Sequence, residues 1–255
     1  MTNFFSVICR VLCLFFFLAA PGLVNAQILS PDPLYDGAER GNYADVQKAL
    51  LTGSSPNVRG GKQITALIAA ARAGAVDVVE AMLAEQPESD QLLFNMGVVY
   101  GEADETEQAV SYMHRALEQN PDNASALNYI GYTWAERGIK LDEAESMILR
   151  AIELRPDDGY IVDSLGWVYY MRARPLIESG RADEAKPLLD RALLELERAQ
   201  ELTGGDPVIL EHIGDTYLLM DEKERALERF EEAVHMEPRE SEQPDLVEKL
   251  EAVLA

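Results

Sequence analysis

The chain has 255 residues with 22 Lys+Arg against 45 Asp+Glu, a formal net charge of −23, and 47% hydrophobic residues. That length admits one large or two small domains, and 26% charged residues beside so many apolar ones is globular rather than disordered composition. An acidic balance with no Lys/Arg run rules out most nucleic-acid binding, because phosphates need a basic face, and disfavours an anionic membrane surface.

Residues 1–26 read as an export signal. Arg10 is the only charge, residues 11–20 are apolar, Pro21 and Gly22 break the run, and Val24-Asn25-Ala26 is a small-residue cleavage pattern. Ten apolar residues are short for a span, which needs about 20, so cleavage is expected, with an uncleaved anchor as the alternative. Neither Cys9 nor Cys13 follows the small residue that a lipid-attachment site needs. Cleavage removes both, and no disulfide, zinc-thiolate site or Cys nucleophile is then expected. The mature chain is expected outside the cytoplasm, periplasmic or secreted, with no membrane span.

Residues 27–86 overlay on themselves with a shift of 33, bringing Ala38 onto Ala71, Gly41 onto Gly74, Val46 onto Val79 and Leu50 onto Leu83. The second copy runs Thr65-Ala66-Leu67-Ile68-Ala69-Ala70-Ala71-Arg72-Ala73-Gly74, then Val78-Val79-Glu80-Ala81-Met82-Leu83. With the loop Gly53-Ser54-Ser55-Pro56-Asn57-Val58, it resembles ankyrin repeats, from which Ala66 and Ile68 depart. A short hairpin at residues 59–62 is the one strand-like possibility. Two such units are fewer than the roughly three an array needs, so they are expected to dock on the helical segment beyond residue 86.

From residue 87 the ruler changes. Gly97, Tyr100, Ala109, Ala116 and Pro121 recur without a gap as Gly214, Tyr217, Ala226, Ala233 and Pro238. They recur again as Gly131, Trp134, Ala144, Ala151 and Pro156, with one residue inserted before Ala144. Small residues let two antiparallel helices approach, the aromatic fills the space beside them, and Pro ends the second helix. The pattern resembles tetratricopeptide repeats. It implies an all-α solenoid of helical hairpins over residues 87–239, four repeats in all. The third is extended: Gly166 and Tyr169 are in place, and Ala185, Ala192 and Ala199 recur seven apart. Each arm of that hairpin is expected to gain about two turns, with a longer exit loop Thr203-Gly204-Gly205-Asp206 and a projection of roughly 10 Å. Pro175 is expected to start a kink or break near its tip. Residues 240–255 are read as a capping helix after the break at Ser241-Glu242-Gln243-Pro244.

No catalytic motif is present, and His114, His212 and His235 lie far apart and read as repeat-surface residues, so no catalytic residue, metal or cofactor is expected. Asn123-Ala124-Ser125 matches a glycosylation sequon. What remains is a surface. The register turns Gln91, Phe94 and Val98 inward, then Asn128, Tyr132 and Glu136, then Tyr160, Asp163, Trp167 and Tyr170, and finally Glu211, Asp215 and Leu218. Phe94, Tyr132, Tyr160, Trp167 and Tyr170 form an aromatic groove flanked by Asp163, Glu211 and Asp215, of the kind that anchors a protein or peptide partner. Several of these aromatics, Tyr160 and Tyr170 especially, could instead pack against the next repeat. Some tetratricopeptide domains grip a terminal carboxylate with Lys, Arg and Asn, but the matching places here hold Phe94, Val98, Tyr129, Tyr160 and Ser164. Residues 87–239 carry 33 acidic and 15 basic residues, a net of −18, which favours a basic or aromatic-rich partner. Arg172, Arg174, Arg181 and Lys186 at the hairpin tip form a second candidate contact, unless neighbouring acids pair with them.

The run from Ala126 through Trp134 to Tyr170 looks like exported bacterial tetratricopeptide proteins, some of which are adaptors of carboxyl-terminal processing proteases. This resemblance implies a non-catalytic scaffold or adaptor of the bacterial envelope. The alternative is a carbohydrate-binding protein or enzyme using the same aromatic and acidic groove, and a homo-oligomer through the long hairpin is a third possibility.

Overall fold

The computed structural model describes residues 33–52, 54, 77, 78, 80, 88–236 and 246–254. The export signal, most of the second ankyrin-like copy, the loop after residue 52, the hairpin at 59–62 and the break at 241–244 lie outside the described residues. No strand occurs among those described.

The first hairpin pairs α1 (Pro33–Glu39) with α2 (Tyr43–Leu51). Gly41 takes the left-handed conformation (φ +62°) that the tight turn requires, and Asn42 caps α2 by accepting from the Asp45 amide. Leu34, Tyr35, Ala38, Val46 and Ala49 are buried in one cluster with Leu92, Leu93 and Met96, so this hairpin shares a core with the repeats.

Four hairpins come next: α3 (Asp90–Glu102) with α4 (Thr106–Gln119), α5 (Ala124–Glu136) with α6 (Leu141–Leu154), α7 (Gly159–Glu178) with α8 (Ala182–Thr203), and α9 (Pro207–Leu219) with α10 (Lys223–His235). The helix α11 (Leu246–Leu254) closes the stack against α10. Side-chain caps start three of the four first helices: Ser89 accepts from Leu92 N at 3.3 Å, Asn123 from Ala126 N at 3.0 Å, and Asp206 from Val208 N at 2.9 Å. The Asn123 of the sequon is thus a helix cap, and its amide also donates to Asp90.

The recurring small residues lie where the ruler puts them. Ala109, Ala116, Ala144, Ala151, Ala226 and Ala233 are fully buried. A methyl group added at Gly97, Gly131, Gly166 or Gly214 would run into Met113, Ile148, Leu196 or Phe230 of the paired helix. The residue inserted in the second repeat is absorbed in its turn, which has four residues, 137–140, where the others have three. In the third repeat α7 is 20 residues against 13 for the other first helices, and α8 is 22 against 13 or 14. Two turns are therefore added to each arm, about 10 Å at about 1.5 Å per residue. Ala173, Ala185 and Leu189 give the projection its own small core, against which Leu219 and Met220 of the fourth repeat pack.

Of the kink or break expected at Pro175, the break does not occur in α7. The helix runs on to Glu178, because a proline this near the end forfeits only the bond to the Met171 carbonyl, and the next turn is closed by Ser179, whose amide and hydroxyl both donate to the Pro175 carbonyl. Arg and acid side chains bolt successive repeats together: the Tyr169 hydroxyl donates to Glu145 of α6 at 2.9 Å while Arg191 of α8 lies over its ring, 3.9 Å from the centroid. Tyr217 repeats this with Glu197 and Arg225. Burial and then Glu145 push the Tyr169 hydroxyl up to about 12.

Candidate partner-binding groove

The first helices α3, α5, α7 and α9 together wall a cleft of about 410 Å³ lined by Phe94, Ser125, Asn128, Tyr129, Tyr132, Asp158, Tyr160, Ile161, Asp163, Ser164 and Val208. Five of the residues expected in the groove, Phe94, Asn128, Tyr132, Tyr160 and Asp163, meet in this one space. Tyr160 stands at its rim, 60% exposed, with its hydroxyl donating to Asp206 at 3.2 Å. Phe94, Asn128 and Tyr132 are half-buried. Burial, and after it the carboxylate of Glu136 and those of Asp163 and Glu211, push the Tyr132 hydroxyl far above its ordinary range. Glu136 itself is exposed, while Val98 and Leu218 are half-buried and Gln91 is exposed.

Asp163 also belongs to a closed network one repeat further on, which takes in Trp167 and Tyr170 of the expected groove residues. Asp163 and His212 are both buried, and Asp163 Oδ1 lies 2.8 Å from His212 Nδ1 across the repeat boundary. The His212 imidazole stacks on Trp167 with centroids 4.2 Å apart, and Trp167 stacks on Tyr170 at 4.5 Å. Burial alone would push the imidazole down, but Asp163 more than reverses this, so it holds its proton above the ordinary histidine range. His212 is therefore no surface residue, because the Asp163 carboxylate and the Trp167 ring supply the charge and stacking partners that let it be buried. Tyr170 is half-buried, and burial followed by Asp215 raises its hydroxyl pKa.

Glu211 and Asp215 do not flank an open channel. Lys249 of α11 reaches both, Nζ lying 2.6 Å from Glu211 Oε1 and 2.7 Å from Asp215 Oδ2. Burial raises the Asp215 carboxyl, and Lys249 only partly offsets it. The Lys249 ammonium, which burial would lower, is raised by Asp215 and Glu211.

The tip cations are paired. Arg172 donates to the Leu141 carbonyl and bridges Asp142 at 2.7 Å and Glu145 at 2.8 Å, so it is a clamp between the second and third repeats. Arg174 pairs with Glu178, Arg181 with Glu184, and Lys186 with Asp190, at helical spacings that bring each acid within reach of its base. The alternative reading of these four residues, pairing with neighbouring acids, is the arrangement the structure shows.

The residues missed by the sequence reading are Ser125, Asp158, Ile161 and Val208, and above all His212 and Lys249. For His212 a signal was available: it stands two residues before the close-approach glycine Gly214, as Tyr129 stands before Gly131 and Ser164 before Gly166, whereas Lys249 has no such marker. Among the described residues no cluster of His, Cys, Asp and Glu is arranged to hold a metal ion, and no helix is long and apolar enough to cross a membrane.

Comparison with known proteins bears on these hairpins directly. Residues 94–159 match the tetratricopeptide repeat family. Solved structures extend the likeness of fold beyond that segment. A thermophilic tetratricopeptide protein of Thermus thermophilus is 18% identical with a TM-score of 0.57, covering 85% of this chain and 98% of its own. The human IFIT1 dimer with m7Gppp-AAAA is 13% identical with a TM-score of 0.63, covering 92% of this chain and 56% of its own. Another IFIT1 structure, a monomeric mutant with Gppp-AAAA, is 12% identical with a TM-score of 0.60, covering 78% of this chain and 47% of its own. The chain thus spans about half the length of the IFIT1 structures it matches. At these identities the likeness is one of fold: an all-helical stack of tetratricopeptide-like hairpins. No curated protein matches the chain.

Proposed function

We propose that the protein is a non-catalytic scaffold or adaptor of the bacterial envelope, which takes a protein or peptide segment in the groove of its tetratricopeptide-like hairpins. Tetratricopeptide domains bind protein partners, and the observation that carries the reading here is the aromatic cleft. Phe94, Tyr129, Tyr132 and Tyr160 converge from three repeats on one space, offering wide contact area at low entropic cost. The nucleotide ligands of the IFIT1 structures do not transfer, because the residues lining this cleft include Asp158 and Asp163 and no Lys or Arg to meet a phosphate. An envelope location rests on the signal-like residues 1–26. The enzymatic and carbohydrate alternative is weakened by the placement of the acids: Asp163 is tied to His212 and Glu211 and Asp215 to Lys249, so no two of them stand ready as acid and base across a substrate.

Affinity capture from an envelope fraction, comparing the wild type with a Tyr132→Ala/Tyr160→Ala double variant, tests the reading. Both side chains line the cleft and neither belongs to the buried stack, so the variant should keep its helical circular dichroism and lose its partners. Undiminished recovery by the folded variant would remove the groove from consideration.

A further inference from the structure

Successive repeats meet along the groove through one recurring contact. In each first helix the side chains three before and one after the close-approach glycine form a seat: Phe94 and Val98, Asn128 and Tyr132, Asp163 and Trp167, Glu211 and Asp215. The next element inserts one side chain into it. Tyr129 shares the cleft with Phe94 and belongs with Phe94 and Val98 to one packed cluster, with its hydroxyl against Gly101. His212 bonds to Asp163 and stacks on Trp167. Lys249 bridges Glu211 and Asp215. Each inserted group matches its seat: an aromatic for the apolar pair, an imidazole for the acid with an aromatic, an ammonium for two acids.

The remaining seat is underfilled. Asn128 and Tyr132 face Ser164, whose short side chain gives its hydroxyl to the Tyr160 carbonyl of its own helix at 3.0 Å. The cleft opens here, lined by all three residues, and the amide oxygen of Asn128 is shielded from water with no hydrogen-bond partner. A group completing this seat must donate a hydrogen bond to that oxygen, lie against Phe94, Tyr129 and Tyr132, and tolerate the nearby carboxylates of Glu136, Asp158 and Asp163. We infer that the gap beside Ser164 is a subsite for a cationic side chain, arginine or lysine, of an extended partner segment; this rests on the groove reading above. Guanidinium and ammonium groups only donate, they stack on aromatic faces, and the field of residues 87–239, at a net −18, attracts them. Lys249 on Glu211 and Asp215 is the internal precedent two seats along.

Two features of the test separate this inference from the groove itself. Fluorescein-labelled Ser-Gly-Arg-Tyr-Gly-Ser, its lysine counterpart and its citrulline counterpart, which keeps the shape of arginine without the charge, are titrated against the full chain by fluorescence anisotropy at low and high salt. The cationic peptides should bind roughly tenfold or more tightly than the citrulline peptide, the worth of one charge-assisted hydrogen bond, and lose that advantage at high salt. Ser164→Lys places an internal ammonium in the seat; it should keep or raise the thermal midpoint and weaken the arginine peptide by roughly tenfold or more. Equal binding of arginine and citrulline peptides, arginine binding undiminished in Ser164→Lys, or a midpoint lowered by an uncompensated ammonium would each overturn the cation subsite. If Tyr132→Ala/Tyr160→Ala still abolishes binding in those cases, the groove stands; if the wild type takes none of the three peptides, the groove reading fails with it.

Discussion

Replacing Asp163 with Asn tests whether the fourth repeat is held on the third by a charged histidine. Asp163 Oδ1 and His212 Nδ1 are 2.8 Å apart, and each side chain is 9% exposed, so little water competes for the contact. A charge-assisted hydrogen bond contributes about 1.5–3 kcal/mol. Removing one partner of a buried pair can cost about 3–5 kcal/mol, but His212 can shed its proton and escape the upper end of that range. Asp163→Asn should therefore cost about 2 kcal/mol near pH 6. The sign with pH follows from linkage: the folded pKa of His212 is raised, so its contribution is fully present below the ordinary histidine value of about 6.5 and is lost as pH climbs through the folded value. Wild-type stability should thus fall over that window, and Asp163→Asn and His212→Gln should each flatten the fall. Urea unfolding at a series of pH values, followed by circular dichroism and by tryptophan fluorescence in a Trp134→Phe background, reads both quantities at the repeat boundary. Stability that rises across the window, or an Asp163→Asn variant with the wild-type slope, would refute a charged His212.

Further outcomes follow from the packing. Gly214→Ala should cost about 2 kcal/mol in chemical unfolding, since its methyl would meet the Phe230 ring, with Cδ1 at 2.7 Å, and overpacking costs about 1–3 kcal/mol. Gly97→Ala should cost less than Gly214→Ala, because the end of flexible Met113 can give way and alanine favours the helix by about 1 kcal/mol, leaving the tight approach to the Ala109 carbonyl at 3.0 Å as the remaining cost. Lys249→Met should leave Glu211 and the buried Asp215 without their cation, costing about 1–3 kcal/mol and speeding amide exchange in α9 and α11 before the other repeats. Arg172→Ala should lower stability by about 2 kcal/mol through its lost bonds to the Leu141 carbonyl, Asp142 and Glu145, whereas Arg181→Ala, an exposed pair, should leave the thermal midpoint unchanged.

Those predictions divide along the line between what spacing reveals and what it hides. Gly97, Ala109 and Ala116 could be read from sequence because two helix axes can approach only where side chains are small, and that constraint recurs with the repeat. The length of the third hairpin was legible for the same reason, Ala185, Ala192 and Ala199 keeping one face apolar through the added turns. The break considered at Pro175 does not occur because a proline's effect depends on how near the helix end it lies, a boundary that composition places only within a turn or so. The register brings Phe94, Asn128, Tyr132, Tyr160 and Asp163 to one cleft, but it says which way a side chain points, not what arrives to meet it. Glu211 and Asp215 looked open because their partner, Lys249, lies 34 to 38 residues away on a short helix with no repeat signature of its own.

That blind spot also explains why charge alone is a poor guide to this surface. Residues 87–239 hold more than twice as many acids as bases, yet Asp163, Glu211 and Asp215, the carboxylates of the inner seats, are the ones already met by a base. Burial forces this: a carboxylate removed from water must be neutralised or hydrogen-bonded, so the acids that look most available in a sequence register are the first to be claimed by the fold. What stays open is a neutral seat whose filling residue is too small, and it is recognisable only once its neighbours are seen to be filled. In a stack of near-identical hairpins, the place to look for a partner is therefore the contact that the repeats fail to make with themselves.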